Sequence, residues 1–188
     1  MRLYRTLTTA ALVACFAVVV LSGAYLAYFY SPHNASTTYH GSYEPLRGVP
    51  MSEAYASELR ISIDQPYGLY ARQLHHSSSW LFLLVLVLRL VAGKVFRRMA
   101  AGAVLLGAGA LAVVTGYALP DDLFFDTILA KVPLPLWYAA HLALALGLAA
   151  GLVTVWRRTS AEQPKLRYFA LAGLVLVLLD VAQPFVPH

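Results

Sequence analysis

Long apolar segments limit this chain to one class of fold. Residues 8–30 contain no charged side chain, and four further apolar segments follow, at residues 69–91, 100–119, 133–156 and 168–183. A run of about 20 apolar residues can cross a bilayer as one helix, and a helix satisfies its own backbone hydrogen bonds there. Because 60% of the 188 residues are hydrophobic and only 12% are charged, we predict an all-α, polytopic membrane helix bundle. Five spans would form a single membrane domain over residues 1–188.

The first apolar segment has features of a cleavable signal and of a retained helix. It follows a basic N-terminus, as a secretory signal does. However, it is longer than a typical signal core and ends in aromatic residues, which are common at membrane interfaces. We therefore expect residues 8–30 to remain as the first transmembrane helix.

Residues 31–68 form the longest polar stretch and separate the first two spans. Within it, residues 51–64 (MSEAYASELRISID) predict a short amphipathic helix lying on the membrane surface. We place this segment outside the membrane.

Charged residues are distributed unevenly between the two sides. The N-terminus, the 92–98 turn and the 157–167 loop contain nine Lys and Arg, whereas residues 31–72 and 120–132 contain four Lys and Arg and seven Asp and Glu. The positive-inside rule then places the N-terminus in the cytoplasm and, after five spans, the C-terminus outside the plasma (inner) membrane. This asymmetry accounts for the formal net charge of +5, so we predict no nucleic-acid partner.

Two histidines lie inside spans that run from outside to inside. His75 is near the outer end of the second span, and His141 is in the outer half of the fourth. Ionisable residues within a membrane are costly and usually functional. Two imidazoles at similar depth on separate helices can ligate one haem iron from both faces. The single cysteine, Cys15, is not part of a CxxCH motif, so such a haem would be non-covalent.

Three motifs resemble one family. They are Ser22-Gly23 before an aromatic helix end, the pair Ala54-Tyr-Ala-Ser-Glu-Leu-Arg-Ile61 and Tyr67-Gly68-x-x-x-Arg72-x-x-His75, and Gly116-Tyr-Ala-Leu-Pro120. In this order they resemble the N-terminal, haem-bearing half of cytochrome b from cytochrome bc-type quinol-oxidising complexes. The resemblance covers residues 8–157, a four-helix haem-binding core, and leaves the fifth span as an additional C-terminal transmembrane helix.

The resemblance implies which residues hold the cofactor. Family members stack two b haems across the membrane. The resemblance assigns His75 and His141 as ligands of the outer haem. It assigns Gly23 and Gly116 as positions where the macrocycle comes close to the backbone. It assigns Arg72 as a partner of a haem propionate. From the residues alone, Arg72 could equally be an interfacial anchor.

Most markers of the inner haem are missing. In the family, each ligand helix carries a second His about 14 residues, or four turns, from the first. Here Arg89 and Val155 occupy those positions, and Thr9 replaces one inner glycine, although Gly102 is kept. The prediction is one non-covalent, bis-His haem b.

Functional expectations follow from one departure from the family. Only residues 121–140 separate Pro120 from His141, where the family has a long loop that forms part of the outer quinol pocket, and nothing here resembles its C-terminal domain. We therefore expect a haem b electron-transfer subunit of a membrane respiratory complex, passing electrons near the outer face. Expected partners are a Rieske-type or cytochrome c-type protein, or a quinol-oxidising subunit. Family members work as dimers, so the resemblance allows a homodimer.

Two alternatives stay open. One is a quinone-reactive membrane oxidoreductase that binds its cofactor at the vacant inner site through Arg89, although this residue could equally extend toward the cytoplasm. The other is a haem-free structural or assembly subunit that retains the scaffold. A haem spectrum distinguishes the haem-free subunit from the other two possibilities. Quinol turnover by the purified protein distinguishes the quinone-reactive oxidoreductase from the electron-transfer subunit.

Overall fold

The fold is a bundle of long helices with one small polar subdomain, formed by residues 30–67 between the first two long helices. In this computed structural model, residues 2–92, 96–119, 131–158 and 165–182 are described. The helices are α1 (Arg2–Phe29), α2 (Glu53–Leu59), α3 (Gly68–Ala92), α4 (Phe96–Tyr117), α5 (Leu134–Arg158) and α6 (Leu166–Ala182). The prediction of an all-α membrane bundle is confirmed.

Three helices have the length and composition of membrane spans. They are the segments Thr6–Phe29 in α1, Gly68–Val91 in α3 and Leu134–Arg157 in α5. Within the described ranges, α4 and α6 contribute shorter apolar stretches, Ala101–Tyr117 and Leu166–Val175. Large apolar side chains on the outer faces are widely exposed, as a lipid-facing surface requires. The chain is thus a multi-pass membrane protein.

The long helices pack as two pairs. α1 lies along α3, and α4 lies along α5, while α3 also contacts α4 and α6 packs on α1. Glycine permits the close approach between neighbours, because a Cβ at Gly109 would lie 2.9 Å from Leu83 Cδ2 and one at Gly151 would lie 2.6 Å from Leu105 Cδ2. At the end where α1 finishes, the Tyr30 hydroxyl donates to the Leu119 carbonyl at 2.7 Å, which joins the two pairs.

A cluster of buried side chains fills one half of the bundle. It draws on α1, α3, α4 and α5 and consists of Leu12, Cys15, Phe82, Leu86, Leu105, Ala112 and Leu148. Most of its members lie two to three turns from His75, His141 or their neighbouring glycines, in the direction of the predicted cytoplasmic side. The interior on that side is therefore close-packed hydrocarbon.

The segment between α1 and α3 contains structure that the sequence did not predict. Two short antiparallel strands, β1 (Ser36–Thr38) and β2 (Pro50–Ser52), pair with Thr37 opposite Met51. The Ser52 hydroxyl then caps α2 by accepting from the Tyr55 amide at 3.1 Å. The short helix expected within residues 51–64 is present as α2, which continues directly into a π-helical turn at Arg60–Asp64.

Gly68 fixes the start of α3 against this turn. A Cβ at Gly68 would lie 1.7 Å from the carbonyl oxygen of Ile61, so no larger residue fits without moving the backbone. One turn later, Arg72 forms an ion pair with Glu58 of α2 and donates to the Ser62 hydroxyl at 2.6 Å. These contacts set the position of His75 relative to the polar subdomain.

Candidate functional site

His75 lies against α1. Its Nδ1 atom is 3.0 Å from the carbonyl oxygen of Val19 and 3.2 Å from the hydroxyl oxygen of Ser22. A Cβ at Gly23 would lie only 2.9 Å from His75 Cε1. The imidazole can therefore rest directly on the α1 backbone because residue 23 has no side chain.

His141 makes the same contacts with α4. Its Nδ1 atom is 2.9 Å from the carbonyl oxygen of Ala112 and 3.4 Å from the hydroxyl oxygen of Thr115. A Cβ at Gly116 would lie 3.1 Å from His141 Cε1. The two helix pairs, α1 with α3 and α4 with α5, thus present one histidine each in an equivalent way.

These contacts determine the tautomer of both rings. A carbonyl oxygen can only accept a hydrogen bond, so the Nδ1 atom of each imidazole must carry the proton and donate it. In a neutral imidazole, Nε2 then keeps its lone pair. A ring whose Nδ1–H is held by a backbone carbonyl is the usual form of a metal-ligating histidine.

The spacing between the rings suits one metal ion. The centroids of His75 and His141 are 6.2 Å apart, and their planes make an angle of 59°. Imidazole nitrogen binds a metal at about 2 Å, and that nitrogen is about 1 Å from the ring centre, so two axial rings have centroids about 6 Å apart. The planes need not be parallel, because each ring can rotate about its metal–nitrogen bond.

The donor set is one that a haem iron can use. Across the described residues, no group of three or more His, Cys, Asp and Glu is placed to hold a metal. Two imidazoles alone leave a metal ion short of ligands. A haem iron brings four nitrogens of its own and takes axial ligands from the protein. The residues present therefore fit a bis-His haem.

Arg72, the predicted propionate partner, lies one turn before His75 on α3. Its guanidinium is occupied by Glu58 and Ser62. The structure thus places it beside the histidine pair on the side of the polar subdomain. A role with a haem propionate stays a prediction.

The His76 ring lies beside that of His75, with centroids 6.4 Å apart, but its hydrogen-bond partner is a different one. Its Nδ1 atom lies 3.3 Å from the Tyr117 hydroxyl, which also accepts a hydrogen bond from Trp80 Nε1 at 3.2 Å. This set of contacts joins α3 to α4. These contacts indicate that His76 is a hydrogen-bonding residue.

The inner haem is predicted to be absent, and two of the residues at its expected positions touch each other. Arg89, 14 residues after His75, donates from Nη1 to the Thr9 hydroxyl at 2.6 Å, and Thr9 is 14 residues before Gly23. The Thr8 hydroxyl is 3.4 Å from the same nitrogen. Val155 packs against the buried cluster. Where a second His–Gly contact would be expected, α1 and α3 carry an Arg–Thr hydrogen bond.

Part of the site was not predicted from the sequence. Ser22 was expected only as part of a motif, and no role was expected for Thr115 or for the carbonyls of Val19 and Ala112. One signal was present: a hydroxyl residue directly precedes each of the two predicted glycines.

An all-α membrane bundle with facing histidines on two helix pairs defines a candidate membrane haem protein. Comparison with known proteins shows which proteins the chain is similar to. The chain is 43% identical over 120 residues to the cytochrome bc1 complex cytochrome b subunit of Streptomyces coelicolor. It is 40% identical over 116 residues to that of Mycobacterium tuberculosis, and 39% identical over 116 residues to that of Corynebacterium efficiens.

These matches confirm the resemblance to cytochrome b. They include 57–60% of this chain but only 21–22% of each relative, so the chain spans about a fifth of the length of the curated proteins it matches. No protein-family profile matches.

Proposed function

We propose that this chain is a haem b-containing electron-transfer subunit of a membrane respiratory complex. The observation that carries the proposal is the pairing of His75 and His141, whose ring centroids are 6.2 Å apart and whose Nδ1 atoms both donate to backbone carbonyls. The similarity to cytochrome b subunits of cytochrome bc1 complexes supports it.

In this proposal, His75 and His141 would hold one haem b. When bound, the haem supplies a one-electron iron couple. The carbonyls of Val19 and Ala112 keep the proton on Nδ1 of each ligand. Gly23 and Gly116 leave room for groups that approach the backbones of α1 and α4.

A single haem per chain is favoured by the other half of the bundle. Arg89 and Thr9 are hydrogen-bonded to each other there. The buried cluster fills the interior between the helices. Bringing a second macrocycle into that region would require the removal of several well-packed side chains.

The distribution of charge supports the proposed orientation. With the N-terminus in the cytoplasm and the C-terminus outside, His75 and His141 lie toward the outer face. A haem at that depth exchanges electrons with a partner docked from outside or beside it in the membrane. We propose a Rieske-type or cytochrome c-type protein, or a quinol-oxidising subunit, as partner, and a homodimer as the assembly.

Electron exchange with partners tests this function. The native complex is isolated through a tag on this chain, and haem reduction by a short-chain quinol is followed optically. We expect rapid reduction in the complex, and none when the haem-loaded chain is purified alone into liposomes.

Sustained quinol oxidation by the chain alone would overturn the proposal. If Arg89→Leu abolished that turnover, the quinone-reactive alternative would take its place. Complete absence of a haem spectrum from the native complex would favour the structural or assembly alternative.

A further inference from the structure

We infer that Ser22 and Thr115 are positioning residues that set the redox potential of the haem through its two histidine ligands. The inference rests on the proposed function. Each hydroxyl oxygen is a second acceptor for the Nδ1–H group of a ligand histidine, beside the backbone carbonyl that already accepts from it.

Ser22 is oriented to accept rather than to donate. Its side chain is buried, and its hydroxyl donates to the carbonyl of Val18 at 2.7 Å, one turn back on α1. Since that bond uses the hydroxyl proton, the oxygen lone pairs remain for His75 Nδ1, 3.2 Å away.

Thr115 repeats this arrangement on α4. It too is buried, and its hydroxyl lies 2.9 Å from the carbonyl oxygens of both Leu111 and Ala112. Its oxygen lies 3.4 Å from His141 Nδ1. The same construction therefore occurs at both ligands, on two helices that have different partners.

A purely structural role is the simpler alternative, because Ser and Thr in membrane helices commonly donate to a carbonyl one turn back. Thr154 does this on the exposed face of α5, where its hydroxyl is 2.8 Å from the Ala150 carbonyl. Ser22 and Thr115 differ because each oxygen also faces an imidazole Nδ1. The two roles predict different results for the redox potential.

The physical effect has a definite sign. A stronger hydrogen bond from Nδ1–H leaves more electron density on Nε2, which makes the histidine a stronger donor to iron. A stronger donor favours the ferric state and lowers the redox potential. Loss of either hydroxyl should therefore favour the ferrous state. Because the carbonyl acceptor remains, the ligand keeps its tautomer and its place.

The test is an optical redox titration of the haem-loaded, full-length chain. Ser22→Ala and the nearly isosteric Thr115→Val remove one hydroxyl each, while Ser22→Thr and Thr115→Ser keep it. Thr154→Val is the matched control. We expect each loss variant to shift the reduction equilibrium toward ferrous haem by about two- to tenfold, the effect of one net hydrogen bond. The hydroxyl-retaining variants and the control should stay close to the unmodified chain.

Several outcomes separate this inference from the function on which it rests. If the unmodified chain carries low-spin haem, and both loss variants titrate like Thr154→Val, the inference is wrong and the function stands. If Ser22→Ala loses haem and Ser22→Thr retains it, the hydroxyl is needed to hold the ligand in place, and the inference that it acts on the redox potential is wrong. Equal loss in both variants would assign the effect to volume and contradict it. Absence of haem from the unmodified chain would end the proposed function itself.

Discussion

Arg89 on α3 donates from Nη1 to the hydroxyl of Thr9 on α1, at 2.6 Å. Arg89 lies 14 residues after His75, and Thr9 lies 14 residues before Gly23. This is the spacing at which the inner haem site would be expected. The contact joins the same two helices as the His75–Gly23 contact, but it offers no metal ligand. Here α1 and α3 are joined by a hydrogen bond beside the packed apolar side chains of the buried cluster.

Arg89→Leu should accordingly leave the haem content per chain unchanged. The guanidinium lies about four turns from His75 along α3, and leucine is well tolerated in a membrane helix. The ratio of haem to protein in the purified variant measures this. A fall in that ratio, with Thr154→Val unaffected, would mean that Arg89 supports the cofactor.

Ligand substitutions should separate His75 from its neighbour. His75→Ala and His141→Ala would each remove one of the two proposed haem ligands and should abolish the low-spin spectrum. His76→Ala should keep it, because the Nδ1 atom of His76 pairs with the Tyr117 hydroxyl and is not held by a backbone carbonyl as in His75 and His141. Optical and electron paramagnetic resonance spectra of the purified variants report the spin state. Haem loss in His76→Ala with retention in His75→Ala would show that the assignment is wrong by one residue.

Added bulk at the two site glycines should weaken haem retention. A Cβ at Gly23 would lie 2.9 Å from His75 Cε1, and a Cβ at Gly116 would lie 3.1 Å from His141 Cε1. Gly23→Ala and Gly116→Ala should therefore displace the ring and cost about 1–3 kcal/mol of stability. Thermal release of haem, followed by its absorbance, measures the effect.

Gly107→Ala provides the control for these variants on α4. A Cβ there meets nothing within 4 Å. Since alanine favours a helix by up to about 1 kcal/mol over glycine, this variant should be neutral or slightly stabilised. Equal destabilisation at Gly107 and Gly116 would show that the histidine contact is not the cause.

Much of the bundle could be predicted because a local run of apolar residues is enough to identify a membrane span. The segment that contains His75 was expected at 69–91 and the helix runs from Gly68 to Ala92. The contact between His75 and Gly23 was not accessible in the same way, because it depends on how α1 and α3 are aligned along each other. Only the family resemblance brought these positions together in advance.

Features that depend on short-range polar contacts were missed. β1 and β2 have three residues each, too few to show a periodic pattern, and their pairing depends on the turn between them. The hydroxyls of Ser22 and Thr115 were not assigned a role because serine and threonine inside an apolar helix usually bond to their own backbone. Their second partner becomes visible only when the facing helix is in place.

The ion pair of Arg72 with Glu58 should couple α3 to the polar subdomain. The Glu58 side chain is only 14% exposed and that of Arg72 is 32% exposed, so removal of one leaves the other partly buried without its charged partner. Arg72→Met and Glu58→Gln should each speed hydrogen exchange in α2. In a double-mutant cycle we expect a coupling energy of about 1–3 kcal/mol. Strictly additive effects would show that the pair does not stabilise this junction.

The central claim is that His75 and His141 hold one haem. The most direct test is a pyridine haemochrome assay on the purified, full-length chain, with protein measured by amino-acid analysis and haem extracted by acid acetone. The account predicts one haem b per chain, fully extractable, with a low-spin spectrum before extraction. Two haems per chain, a haem that stays with the protein after extraction, or no haem in protein from native membranes would contradict it.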